Sequence, residues 1–66
     1  MINPTKPSVT LDGRYTVMQT CRALGIHRGT LARYVERGII KPHYRRVDER
    51  KVFVGRDIIR LWLASL

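Results

Sequence analysis

Cysteine is nearly missing from this 66-residue chain, and acidic residues are scarce. The single cysteine, Cys21, excludes an internal disulfide and a zinc site built from several thiolates. A lone thiol fits a reducing compartment. No apolar run approaches the ~20 residues that a membrane-spanning helix needs. The opening stretch MINPTKPSVT has no apolar core of the kind a signal peptide carries. A cytoplasmic protein is therefore expected. No glycine-rich loop that could cradle a phosphate occurs, and His27 and His43 have no carboxylate or thiol partner at motif spacing. Asp48 and Glu49 read as turn residues rather than a catalytic pair. Neither an enzyme, nor a cofactor, nor a bound metal is expected. The length allows one domain with one small core, near the lower limit for folding alone.

Positive charge is what the chain has in quantity. Thirteen Lys and Arg stand against five Asp and Glu, a formal net charge of +8, and ten of the thirteen are arginine. Arginine offers a planar fork of donors that matches phosphate and the guanine edge. From Arg22 to Lys51, nine cations meet only Glu36, Asp48 and Glu49. That density makes an anionic polymer the leading partner. A generic basic surface, as on small ribosome-associated proteins, is the plainer alternative. A basic amphipathic helix lying on a membrane is disfavoured, because the cations spread over a helix and a hairpin.

Local patterns predict three helices and one hairpin. Met1 to Gly13 carries Pro4 and Pro7 without helical periodicity, so residues 1–13 are expected to be a flexible tail and residues 14–66 the domain. A short edge strand at Ser8–Leu11 is the alternative. Tyr15 to Leu24 reads as the first helix, with Thr16 and Gln19 spaced as a capping box and Gly25 as the C-cap. Val17, Cys21 and Leu24 form its apolar stripe, which makes Cys21 a small core residue rather than a reactive thiol. The second helix runs from Arg28 to about Arg37, with His27 at its N-cap and Gly38 as its stop. The His27 ring either faces a phosphate or is a tolerated surface residue.

That second helix has two faces. Leu31, Tyr34 and Val35 share one at i, i+3 and i+4, while Arg28, Ala32 and Arg33 fall on another. Gly29 leaves a gap where a backbone could approach a groove wall. Downstream, His43–Val47 and Lys51–Val54 flank the polar turn Asp48-Glu49-Arg50 and predict a β-hairpin. Arg45, Arg46, Arg50 and Lys51 would place four cations on this two-stranded ribbon, suited to a phosphate backbone or a groove. Gly55 to Leu66 reads as the third helix. Ile58, Leu61 and Trp62 are its core face, and Ile59, Leu63 and Leu66 make the far side apolar too. That far side is expected either to lie under the N-terminal segment or to contact a protein.

The run YTVMQTCRALGIHRGTLARYVERGIIKP, with a basic hairpin and FVGRDIIRLWL after it, resembles the winged helix-turn-helix domains of the MerR superfamily. Within that group it looks most like the short excisionase-type proteins of mobile elements. The resemblance covers about Tyr15 to Ala64. It implies a mainly α fold of three helices plus a β-hairpin wing. It also implies a second helix in the major groove of double-stranded DNA, with His27, Arg28, Gly29, Ala32 and Arg33 near the duplex and the hairpin from Tyr44 to Val54 beside the minor groove. Three positions depart from the pattern. His27 stands where serine or threonine is usual, Ala32 where tyrosine is frequent, and Gly55 where serine or proline precedes the last helix.

Regulators of this superfamily continue into a long dimerising helix and an effector domain, whereas this sequence ends at Leu66, so no small-molecule effector is expected. The combined expectation gives Arg28 and Arg33 to base edges and Arg37, Arg45, Arg46, Arg50 and Lys51 to phosphates. Thr30 is assigned to helix packing or a phosphate contact. An integrase, or a second copy docking on Ile59, Leu63 and Leu66, is the expected protein partner. A small transcriptional regulator, a phage packaging subunit and a protein-docking module remain alternatives to an excisionase-like factor.

Overall fold

The computed structural model describes residues 5–65. The chain runs through β1 (Arg14–Thr16), α1 (Val17–Leu24), α2 (Arg28–Glu36), β2 (His43–Tyr44), β3 (Lys51–Val54) and α3 (Gly55–Ala64). The three strands form one antiparallel sheet in the order β1-β3-β2. The result is a small α/β domain of three helices and a three-stranded sheet.

Both helices expected around Gly25 are present, and their ends carry the expected chemistry. The Thr16 hydroxyl accepts from the Gln19 amide at 3.2 Å, and the Gln19 side chain accepts from the Thr16 amide at 3.0 Å, completing a capping box. Gly25 takes a left-handed φ of 70°, and the Ile26 amide donates to the Cys21 carbonyl at 3.0 Å. Gly38 repeats the device after α2, with φ of 73° and Ile39 donating to Tyr34 at 2.9 Å. Both are Schellman closures, in which a residue without a Cβ adopts a backbone that other residues resist.

The first helix begins two residues later than its periodicity predicts. Tyr15 belongs to β1, opposite Phe53, while Thr16 ends the strand and caps the helix. The hairpin also differs from expectation. Its paired part on the β2 side is only His43 and Tyr44, and the connection spans residues 45–50. Arg45, Arg46 and Val47 are therefore not in a strand, and Lys51 is the only one of the four hairpin cations that is. The two-stranded ribbon is replaced by a sheet because β1 covers the other edge of β3.

The central strand is covered on both sides. Val52 and Phe53 point to opposite faces, yet they are 2% and 1% exposed. Phe53 joins Cys21, Leu24, Ile26, Leu31, Ile40, Ile58 and Leu61 in the core cluster. The segment before β1 packs on the domain where it is described: Pro7 is buried and Val9 lies against the core. Packing thus starts before the boundary expected at residue 14, and residues 1–4 of the expected tail lie outside the described residues. Tyr15 anchors this segment, its hydroxyl accepting from the Thr10 amide at 2.8 Å, and the Thr10 hydrogen bonds hold its phenol below the ordinary value.

The N-terminus of α3 has no side-chain cap. Its first two amides instead donate to the preceding segment: Gly55 to the Gly13 carbonyl at 2.9 Å and Arg56 to the Leu11 carbonyl at 3.1 Å. On the far side of α3, Leu63 is exposed, Ile59 is half-buried, and Leu66 lies outside the described residues. No described helix is long and apolar enough to cross a membrane.

Thr20 is fully buried in α1, and its hydroxyl has no hydrogen-bond partner among the described residues. An unmet buried hydroxyl is destabilising, and valine has the same branched shape with a similar helix propensity. Thr20→Val should therefore stabilise the fold by about 1 kcal/mol, seen as a raised urea midpoint with an unchanged slope. A lowered midpoint would show that the hydroxyl is satisfied.

Candidate nucleic-acid interface

Helical periodicity turns Leu31 inward, 2% exposed, and leaves Arg28, Gly29, Ala32, Arg33 and Arg37 on the exposed side of α2. Thr30 is half-buried, and His27 is exposed and makes no capping bond from its side chain. A Cβ on Gly29 would meet nothing within 4 Å. No neighbour inside the domain requires a glycine there.

Strand periodicity does the equivalent work for the hairpin. Lys51 and Phe53 lie on the same face of β3. Phe53 reaches the core, and Lys51 ends at the rim of a cleft between β3 and α2. Val17, Leu31, Val35 and Phe53 make the apolar wall of that cleft, with Arg28, Ala32 and Lys51 beside them. The cleft continues past Arg28 and Lys51 to Arg50 and to Thr16, Val17 and Met18 at the start of α1. Arg28 of α2, Arg50 of the connection and Lys51 of β3 thus line one concavity, and no acidic side chain among the described residues lines it.

Helix ends add to this positive field. Neither α1 nor α2 has an acidic residue in its first turn, whereas α3 has Asp57. The capping box satisfies the amide of Gln19 but leaves those of Val17 and Met18 without intrahelical acceptors. Uncompensated N-terminal ends attract anions. Burial pushes the Cys21 thiol up, with the Arg28 charge acting in the opposite direction. Cys21 is 8% exposed and packs in the core.

Ion pairing separates the cations into two groups. Arg56 pairs with Asp12 at 3.7 Å, and Arg60 with Asp57 at 3.8 Å, both on α3. Arg45 and Arg50 share Asp48, at 3.2 and 4.0 Å. Among the described residues, Arg28, Arg33, Arg37, Arg46 and Lys51 form no ion pair, and neither do Lys6, Arg14, Arg22 and Lys41.

The structure thus joins four of the residues singled out from sequence, Arg28, Ala32, Arg50 and Lys51, around one cleft. Gly29, Arg33 and Arg37 share the exposed side of α2 but do not line it, Tyr44 pairs with Lys51 across the hairpin without lining it, and Arg45 and Arg46 lie in the connection beyond. Sequence reasoning missed Thr16, Val17 and Met18. Their capping box marks a helix start, but only the packing of α1 against β3 shows where that start points. Comparison of the chain with protein-family models, with curated proteins and with solved structures found no match.

Proposed function

We propose that this chain is a winged helix-turn-helix protein that binds double-stranded DNA, with α2 in the major groove and the β2–β3 hairpin as the wing beside the minor groove. The observation that carries the reading is the acid-free cleft rimmed by Arg28, Arg50 and Lys51. Major and minor grooves are separated by a ridge of phosphates. A helix in one groove and a wing in the next must straddle that ridge, and the cleft between them is where it would lie. The unpaired cations, and two helix N-termini without an acid in their first turns, supply the charge and the donors that such a ridge needs.

This placement divides the arginines differently from the sequence expectation. Arg28 lies on the cleft rim with Lys51, so we assign it to the phosphate ridge. Arg33 stands clear of the cleft and takes the base-edge role. Few long side chains remain on the exposed face of α2, since Gly29 and Ala32 offer almost nothing. Affinity then comes mainly from the backbone and from DNA shape. That balance fits an architectural, excisionase-like factor that bends DNA for an integrase better than it fits a reader of many bases.

The test is fluorescence anisotropy on a duplex selected from a random library, compared with a scrambled duplex. Arg33→Ala should cost about 1–3 kcal/mol on the selected duplex and relax preference at one base pair. Arg28→Ala and Lys51→Ala should weaken both duplexes by the same factor. Selection that enriches no duplex, together with no binding to scrambled DNA, would refute the proposal.

A further inference from the structure

The most exposed apolar side chain among the described residues is Val47, at 97%, well beyond the next, Met18, at 65%. It stands at the tip of the wing, where glycine, asparagine, aspartate, serine and proline are the usual residues. The tip is also unusually well held for an exposed loop. The Arg45 amide donates to the Arg50 carbonyl at 3.0 Å, and the Glu49 amide donates to the Arg45 carbonyl at 2.7 Å. Asp48 accepts from the Arg50 amide at 3.1 Å and pairs with the Arg45 guanidinium at 3.2 Å. Glu49 holds a φ of 55°, the only non-glycine residue described with a positive value. A left-handed glutamate is costly, and it persists only where surrounding bonds impose it. These bonds fix the loop around one small, exposed apolar side chain, with Arg45 and Arg46 before it and Arg50 and Lys51 after its two acids.

We infer that Val47 is a wedge that enters the DNA minor groove and loosens the stacking of one base step, with Arg46 reaching the phosphate row beside it and Arg45 and Arg50 adding the positive charge left over from their pairing with Asp48. The inference rests on the DNA-binding reading and gives it a bending device. Two observations select DNA as the occupant. Val47 is the one apolar residue of residues 45–51 and is 97% exposed, and the four cations beside it outnumber the two acids, a balance that complements phosphate. A minor groove about 6 Å wide admits a single β-branched side chain at its base edges, and apolar wedges of this kind kink duplexes in other minor-groove proteins. Asp48 is held by Arg45 at 3.2 Å and Arg50 at 4.0 Å, and the charge of Glu49, the other acid of the tip, is outweighed by Arg46 and Lys51.

A wedge has a sequence consequence. Pyrimidine–purine steps unstack easily and A-tracts resist. The full chain should therefore bind a 25-base-pair duplex centred on a TpA step about tenfold more tightly than one centred on an A-tract, at equal salt. Dyes at the duplex ends should report shortening on binding the first duplex. V47S should bind both duplexes alike without shortening, and V47L should recover both effects. Because Val47 is almost wholly exposed, these variants keep the fold, which far-UV circular dichroism checks. If V47S retains the preference and the shortening, the wedge is wrong while DNA binding stands. If the wild-type chain binds neither duplex, the wedge and the DNA-binding reading fall together.

Discussion

Raising the salt from 50 to 200 mM should weaken duplex binding about a thousandfold. Each phosphate neutralised by a protein cation releases counterions, and the logarithm of affinity falls with the logarithm of salt at about −0.9 per phosphate. Arg28, Arg33, Arg37, Arg46 and Lys51 form no ion pair among the described residues, so each can serve a phosphate without first losing an acidic partner. Arg45 and Arg50 share a single aspartate, and together they add about one more effective charge. With Arg33 assigned to a base edge, its charge still lies near the backbone and counts. The total is about six, for a slope of roughly −5. The α3 cations Arg56 and Arg60 are already partnered, and neither lines the cleft. R56A should leave the slope unchanged, whereas K51A should make it shallower by about one. Anisotropy titrations at four salt concentrations measure all three slopes. A wild-type slope shallower than about −2 would rule out a phosphate-dominated interface.

Replacing Gly55 with alanine should lower stability by about 3 kcal/mol. Gly55 is the first residue of α3, and its φ is not positive. Alanine is intrinsically the better helix former there. The obstacle is steric: a Cβ on Gly55 would collide with the backbone carbonyl of Thr10. Relief requires residues 10–13 to lift away, and that breaks the bonds from Gly55 to Gly13 and from Arg56 to Leu11 that cap α3. Overpacking costs about 1–3 kcal/mol and each lost hydrogen bond about 1. A chain of this length has only about 3–10 kcal/mol in total, so the loss is a large share. Gly29→Ala is the control. It also places alanine in a first helical turn, but its Cβ would meet nothing within 4 Å. It should be neutral or stabilising by up to about 1 kcal/mol. Urea unfolding of the two variants gives the comparison. Equal stability for both would mean that the segment before β1 does not lie across α3 in solution.

The Gly55 position also explains a departure noted in the sequence. Serine or proline would cap the last helix through its own side chain or ring. Here the cap comes from the carbonyls of Leu11 and Gly13, and glycine is what lets them approach. Nothing in the local pattern around Gly55 signals this, because the capping segment lies far back in the chain. The strand β1 was hidden for a related reason. Three residues, Arg14 to Thr16, are too few to show a period of two, and their pairing with Val52–Val54 joins distant parts of the sequence. The hairpin was legible as a hairpin but drawn too long. Arg45 and Arg46 carry no alternation of their own, and the Asp48 contacts that end the strand depend on how the loop folds back.

Whatever depends on neighbours within about one helical turn is written in the local sequence. That includes the capping box at Thr16 and Gln19, the glycine closures at Gly25 and Gly38, the inward face of Leu31, Tyr34 and Val35, and the excess of arginine over acid. Helix ends, faces and net charge are short-range properties, and periodicity and composition record them. Which of these pieces meet is set by tertiary packing. It brings the start of α1, Arg28 of α2 and Lys51 of β3 to one cleft, leaves Arg28 and Lys51 there without an ion pair among the described residues, and sets Val47 at a braced tip. Those juxtapositions arise from burying Phe53 and Val52 on opposite sides of one central strand, a long-range packing solution that no local window of the chain contains.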